Sequence, residues 1–134
     1  MYEYRVKKLV SVVDGDTIDV DIDLGFDISF YSRVRLAGID TPESRTKDLK
    51  EKALGLESKE YLKKRLEAAK NIVIRTEKVN SSEKYGRILA WIYVDGESNS
   101  LNHEMIEKGY AWGYLGDTKV KDFDALLKAR NANS

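Results

Sequence analysis

The sequence has no cysteine. That excludes disulfides, a thiolate zinc site and a cysteine nucleophile, and it leaves the redox compartment open. There is one proline and no low-complexity tract, so the chain is not read as a disordered tail. No stretch approaches the roughly 18 to 20 uninterrupted apolar residues that a membrane-spanning helix needs. Net charge is also missing: Lys plus Arg and Asp plus Glu each number 23, which removes the global pull toward nucleic acid that a strongly basic domain has. The opening residues MYEYRVKKLV lead into a patterned strand and lack the apolar core and small-residue cleavage site of a secretory signal. The expected location is therefore cytoplasmic, a phage-encoded protein included, or extracellular with the signal already removed. P-loop, dinucleotide glycine and serine-elbow patterns are absent too.

What is present is the profile of an ordered globule, with 42% apolar and 34% charged residues in 134. A chain of that length forms one domain, 1–134, and buries about two thirds of its unfolded surface. A monomer is expected. The charges are unevenly placed: residues 14–27 hold six acids and no base, whereas residues 45–78 hold eleven bases and six acids. The acidic stretch could attract a hard cation and the basic one a phosphate backbone, although a solvated helix surface explains most such runs.

Apolar residues at 18, 20, 22 and 24 alternate with Asp19, Asp21 and Asp23, the period of a half-buried strand that points the three aspartates to solvent. A second alternating run, Phe30, Ser32, Val34 and Leu36, follows Gly25 and pairs antiparallel with the first. Further strands are expected from about Tyr4 to Val13, from Val73 to Glu77 and from Arg87 to Val94, where Asp95-Gly96 signals a tight turn. Between Ala53 and Lys70 the spacing of Leu54, Ser58, Leu62, Leu66 and Ala69 becomes helical. A second helix is expected after Ser100, which can cap it, ending at Gly109, and a short third one around Phe123, Leu126 and Leu127. The fold class is α+β and β-rich: a five-stranded antiparallel barrel on the OB plan, with about three helices.

Parity also isolates Asp16, which belongs with Ile18 and Val20 on the inward series and so needs a partner or a metal at the barrel mouth. A turn aspartate bonded to nearby amides in Asp14-Gly15-Asp16-Thr17 is the competing reading. The run Gly38-Ile39-Asp40-Thr41-Pro42-Glu43 puts two carboxylates on a loop at a strand end, a common address for catalytic groups and equally an ordinary turn sequence. Arg35 and Arg87 can each be read as plain exposed strand arginines.

Together these pieces resemble the staphylococcal nuclease family, through Val13-Asp14-Gly15-Asp16-Thr17, Val34-Arg35-Leu36, Ile39-Asp40-Thr41-Pro42-Glu43 and Lys84-Tyr85-Gly86-Arg87-Ile88-Leu89-Ala90. The four segments keep the family's order and spacing. Weaker likeness at Asp95-Gly96, Leu101-Asn102 and Lys108-Gly109 extends the match over about Tyr4 to Ala111, and it fades from Trp112 onward. The resemblance implies Ca²⁺ bound by the Asp16 and Asp40 carboxylates and the Thr41 carbonyl, which are hard oxygen donors. It implies Glu43 as general base on water and Arg35 and Arg87 on the phosphate. It further implies Lys84 and Tyr85 at the nucleotide, with Tyr114 or Trp112 as a second aromatic near the base. DNA and RNA would be the substrates, cut with little sequence preference to leave 3′-phosphates.

A non-catalytic nucleic-acid-binding module of the same fold is the alternative, and such modules typically lack the catalytic side chains that are all present here. A structural calcium domain leaves Arg35 and Arg87 unexplained. Asp19, Asp21 and Asp23 imitate an EF-hand opening, but glycine comes one place late and the twelfth position is Phe30. His103 has no companion ligands and is expected at the surface. Trp91 and Tyr93, in mid-strand, are expected in the core or on the barrel surface.

Overall fold

Strand alternation sets the architecture, because each strand can bury only one of its faces. The computed structural model describes residues 2–76, 88–114 and 121–132. Strands β1 (Tyr2–Asp14), β2 (Thr17–Asp23), β3 (Ser29–Leu36), β5 (Ile72–Thr76) and β6 (Ile88–Val94) close a barrel in the order β1-β2-β3-β6-β5. The short β4 (Ile39–Asp40) and β7 (Trp112–Gly113) pair beside it. Helices α1 (Leu49–Ala68), α2 (Leu101–Glu107) and α3 (Phe123–Ala132) complete the described chain.

The barrel is not wholly antiparallel, as the alternation had suggested. β3 and β6 run parallel, with Val34, Arg35 and Leu36 beside Ile88, Leu89 and Ala90. Parallel neighbours need a crossover, and α1 with β5 supplies it. The long β1 pairs with β2 along its length and with β5 at its start, and three register shifts bend it enough to do both. Glu77 and Arg87, expected in strands, lie outside the described residues.

Inward residues Ile18, Val20, Ile22, Val34, Leu36, Ile74, Ile92 and Val94 fill the barrel, and Leu62, Leu66, Leu101 and Met105 close it from the helices. One of the three outward aspartates departs from its expected place. Asp19 is buried, because Arg33 across the β2–β3 ladder folds over it and donates through Nε at 2.8 Å and Nη2 at 3.1 Å. Asp21 and Asp23 are half-buried.

α1 begins earlier than its apolar spacing indicated, since Asp48 caps it by accepting from the amides of Lys50 and Glu51. Its buried stripe is Glu51, Gly55, Ser58, Leu62 and Leu66, with Leu54 only half-buried. Ser100 caps α2 by accepting from the His103 amide, and Gly109, at φ +79°, ends the turn that follows. His103 is exposed and lies against the Trp91 ring.

Asn102 of α2 is fully buried. It accepts from Ile92 N at 3.0 Å and donates to the carbonyls of Ala37 at 2.7 Å and Ala90 at 3.1 Å. One side chain thus ties α2 to the end of β3 and the middle of β6. Asn102→Ala strands three buried backbone groups and is expected to lower unfolding free energy by about 3 kcal/mol or more. A shift of the urea midpoint at constant slope checks it.

Acid should weaken the fold through its buried carboxylates. Hydrogen bonds from Arg33 hold Asp19 below the ordinary carboxylate value of 3.8 against the effect of burial. Burial pushes Glu104 up, but hydrogen bonds from Arg65 and Tyr61 outweigh it and leave the group below 4.5. Both carboxyls titrate lower folded than unfolded, so their stabilisation is complete above the unfolded values and is lost as pH falls through the folded ones. Urea midpoints are expected to drop below about pH 4, and less steeply in Asp19→Asn.

Candidate functional site

Where β1, β3 and the chain after β4 meet at one end of the barrel, a cleft of about 270 Å³ opens. It is lined by Asp14, Asp16, Thr17, Arg35, Asp40, Thr41, Pro42, Glu43, Ser44 and Arg45. Asp16 precedes β2 in the tight β1–β2 connection. That connection nests close to α1 because Gly15 has no side chain: a Cβ there would stand 2.8 Å from Ser58 Cβ and 3.1 Å from Thr41 Cγ2. The Asp16 carbonyl accepts from Leu36 N at 2.8 Å, which ties the turn to the end of β3. Its carboxylate accepts from the Thr17 hydroxyl at 3.0 Å.

Arg35 is buried, at 6% exposure, although its parity alone allowed an exposed strand arginine. Asp40 of β4 and Tyr114, just past β7, lie against its guanidinium, the ring centroid 5.5 Å from the guanidinium carbon. Nη2 stands 3.5 Å from Asp16 Oδ2 and 3.7 Å from Asp40 Oδ1, and Nη1 donates to the Leu36 carbonyl at 3.1 Å. The two carboxylates are themselves nearly covered, at 14% and 8% side-chain exposure. Contacts of this length are ion pairs without a tight bidentate fork.

Asp40 owes its place to β4, where it pairs with Trp112, and Thr41 follows it into the buried wall. Glu43 differs from these groups, with a side chain 61% exposed at the rim. Its backbone is fixed even so. The Glu43 amide donates to Glu51 Oε2 at 3.0 Å, and α1 approaches so closely that a Cβ on Gly55 would lie 2.5 Å from the Glu43 carbonyl. Lys121, at the head of the C-terminal segment, stands 2.8 Å from Glu51 Oε2 and 3.6 Å from Glu43 Oε1. Its ammonium is held above the ordinary lysine value, first by the hydrogen bond to Glu51.

Arg35, Asp16, Asp40, Thr41 and Glu43, selected from the sequence, therefore share one cleft, with Tyr114 beside Arg35. Lys84, Tyr85 and Arg87 lie outside the described residues. Trp112 takes another role: its ring packs edge-on against Phe123 and its Nε1 donates to the Asp122 carbonyl, so it anchors the last helix. Sequence reasoning passed over Asp14, which accepts a short hydrogen bond from Ser44, as well as Glu51, Gly55 and Lys121. A glycine in mid-helix is the one signal that pointed to the close approach at Gly55.

The anionic donors of the cleft are all oxygens, two carboxylates sharing one guanidinium with a buried threonine next in sequence. That chemistry fits a hard cation completed by carbonyl and water oxygens, and it does not fit zinc. Among the described residues no group of three or more His, Cys, Asp or Glu is placed to hold a metal unaided. Arg35→Met leaves two nearly buried carboxylates side by side and is expected to cost about 3–5 kcal/mol in chemical denaturation. Adding Asp16→Asn in that background should recover part of the loss.

Comparison with known proteins agrees with this geometry. A family model described as staphylococcal nuclease homologue matches residues 33–133. An uncharacterized protein of Methanocaldococcus jannaschii is 30% identical over 90% of this chain and 65% of its own length. The SPbeta prophage-derived endonuclease YokF of Bacillus subtilis is 31% identical over 91% of this chain and 40% of its own. The thermonuclease of Staphylococcus hyicus is 30% identical over 78% and 56% respectively. The chain thus spans between two fifths and two thirds of the length of these relatives. A barrel of this order, a cleft built from the residues that carry the resemblance, and a family match across three quarters of the sequence lead to one assignment: this chain belongs to the staphylococcal nuclease homologue family.

Proposed function

We propose that this protein is a calcium-dependent nuclease that hydrolyses phosphodiester bonds of DNA and RNA with little sequence preference. The observation that supports it most is the convergence of Arg35 with Asp16 and Asp40, at 3.5 and 3.7 Å, in a cleft whose rim carries Glu43. Phosphodiesters resist attack because the anion repels a nucleophile, and a cleft that presents cations to the equatorial oxygens lowers that barrier. A guanidinium already buried is pre-organised for this task, since no water has to be stripped from it during the reaction.

In this reading Asp16, Asp40 and the Thr41 carbonyl hold Ca²⁺, and the ion when bound supplies further positive charge beside the scissile phosphate. Glu43 takes the proton of the attacking water as its oxygen bonds to phosphorus. The P–O5′ bond breaks, the 5′-oxygen takes a proton from solvent water and leaves as a hydroxyl, and the phosphate stays on the 3′ side. Arg35 and Arg87 stabilise the charge of the transition state, and Lys84, Tyr85 and Tyr114 contact the nucleotide. Two of the relatives are named an endonuclease and a thermonuclease, which favours this reading over a non-catalytic binding module of the same fold.

Incubation with plasmid DNA and with RNA, in Ca²⁺ or in chelator, is expected to give degradation only with Ca²⁺. Binding without cleavage would turn the assignment to the binding module. Glu43→Gln, at an exposed side chain, should leave the thermal midpoint unchanged and reduce turnover by about 10²- to 10⁴-fold. Ca²⁺ at about 100 times its dissociation constant should stabilise the protein by about 2.7 kcal/mol, and a clearly smaller rise in Asp40→Asn would tie the ion to that carboxylate.

A further inference from the structure

The C-terminal segment from Lys121 onward lies past the motifs that name the site residues, although the family model spans it, and it reaches the cleft. Several contacts fix its position. Trp112 holds its start through the Asp122 carbonyl and the Phe123 ring, and Leu126 is buried. Arg130 donates from Nε to the Gly109 carbonyl at 3.2 Å, lies 4.2 Å over the Tyr110 ring and pairs with Glu57 of α1. Gly109 is open to this approach only as glycine, because a Cβ there would sit 2.2 Å from Arg130 N. A segment anchored at both ends delivers Lys121 to one spot, beside Glu51 and Glu43.

We propose that Lys121 is a positioning residue for Glu43: with Glu51 it clamps the Glu43-bearing loop to α1, so that the C-terminal segment completes the catalytic end of the barrel. The inference rests on Glu43 acting in phosphodiester cleavage. Glu51 is the pivot of the clamp. Its side chain is only 9% exposed, and the same Oε2 accepts from the Glu43 amide at 3.0 Å and from Lys121 Nζ at 2.8 Å. A carboxylate this covered needs a cation, and Lys121 is the described lysine or arginine that pairs with it. Without that cation Glu51 is driven toward water and releases the amide it holds. The 3.6 Å contact with Glu43 Oε1 then acts on the other end of the same residue, restraining the side chain that must face the attacking water. Lys121 does not touch the reacting atoms in this scheme.

The test uses the full chain with Lys121→Met, which keeps most of the apolar stem and removes the charge, and with Lys121→Arg. Two quantities are read: amide hydrogen exchange at Glu43, and steady-state cleavage of DNA in Ca²⁺. In Lys121→Met the Glu43 amide is expected to exchange at least about tenfold faster. Turnover should fall about 10- to 100-fold with KM changed much less, since displacement of a catalytic group by about an ångström has effects of that size. Lys121→Arg should restore most of both. Glu51→Gln should reproduce the defect, and the double variant should be no worse than either single one. Unchanged exchange at Glu43 overturns the clamp. Faster exchange with unchanged turnover in an active enzyme overturns the positioning role. A wild-type protein that cuts neither DNA nor RNA defeats the nuclease reading and the positioning role with it, while the exchange data still decide the clamp by themselves.

Discussion

A guanidinium shut away from water must be answered by anions, and much of the cleft end of this barrel is organised around meeting that demand for Arg35. Its neighbours are themselves nearly covered acids, whose charge it helps to offset. Each arrives from a different part of the chain. Asp16 comes on a turn fastened to β3 through the Leu36 amide, and Asp40 comes on a two-residue strand held by β7. Gly15 lets the turn sink against α1, and Asn102 pins the end of β3 to the middle of β6. The electrostatic requirement and the close packing are two aspects of one arrangement, because neither carboxylate could reach the cation if the turn or the short strand moved outward.

Around that covered centre the other groups are arranged by exposure. Asp16, Asp40 and Thr41 sit in the wall, whereas Glu43 stands out at the rim on a backbone braced by Glu51 and Gly55. Groups that bind an ion or an anion gain from a low local dielectric. A group that must exchange protons with solvent has to remain wet. The barrel end supplies both environments within one small cleft.

Much of this was legible in the amino-acid order. Alternation at Ile18, Val20 and Ile22 located β2, Ser100 and Gly109 marked the limits of α2, and three of the four short segments led to residues that share the cleft. Other features were hidden because they depend on partners distant in sequence. Asp19 reads as a solvent aspartate until Arg33 closes over it, and Arg35 reads as exposed until Asp40 and Tyr114 come against it. A hydrophobic period distinguishes the two faces of a strand and says nothing about what later packs on the polar one. The parallel pairing of β3 with β6 was equally invisible, since periodicity carries no strand direction. Lys121 gave no signal at all, because its place is set by Trp112 and Arg130 and not by its own surroundings in the chain.

That parallel pairing also orders events in time. Val34 and Arg35 acquire their neighbours Ile88 and Leu89 only after the helix and strand between them have been made, and contacts so distant along the chain form slowly. Asn102, which fastens both strands, is later still, and Lys121 comes almost at the end. A ribosome-bound chain that has released only the first half of this sequence already carries Arg35, both aspartates and Glu43, but not the strand, the asparagine and the lysine that hold them in register. The cleft takes its final shape only when the last third of this sequence has joined the first.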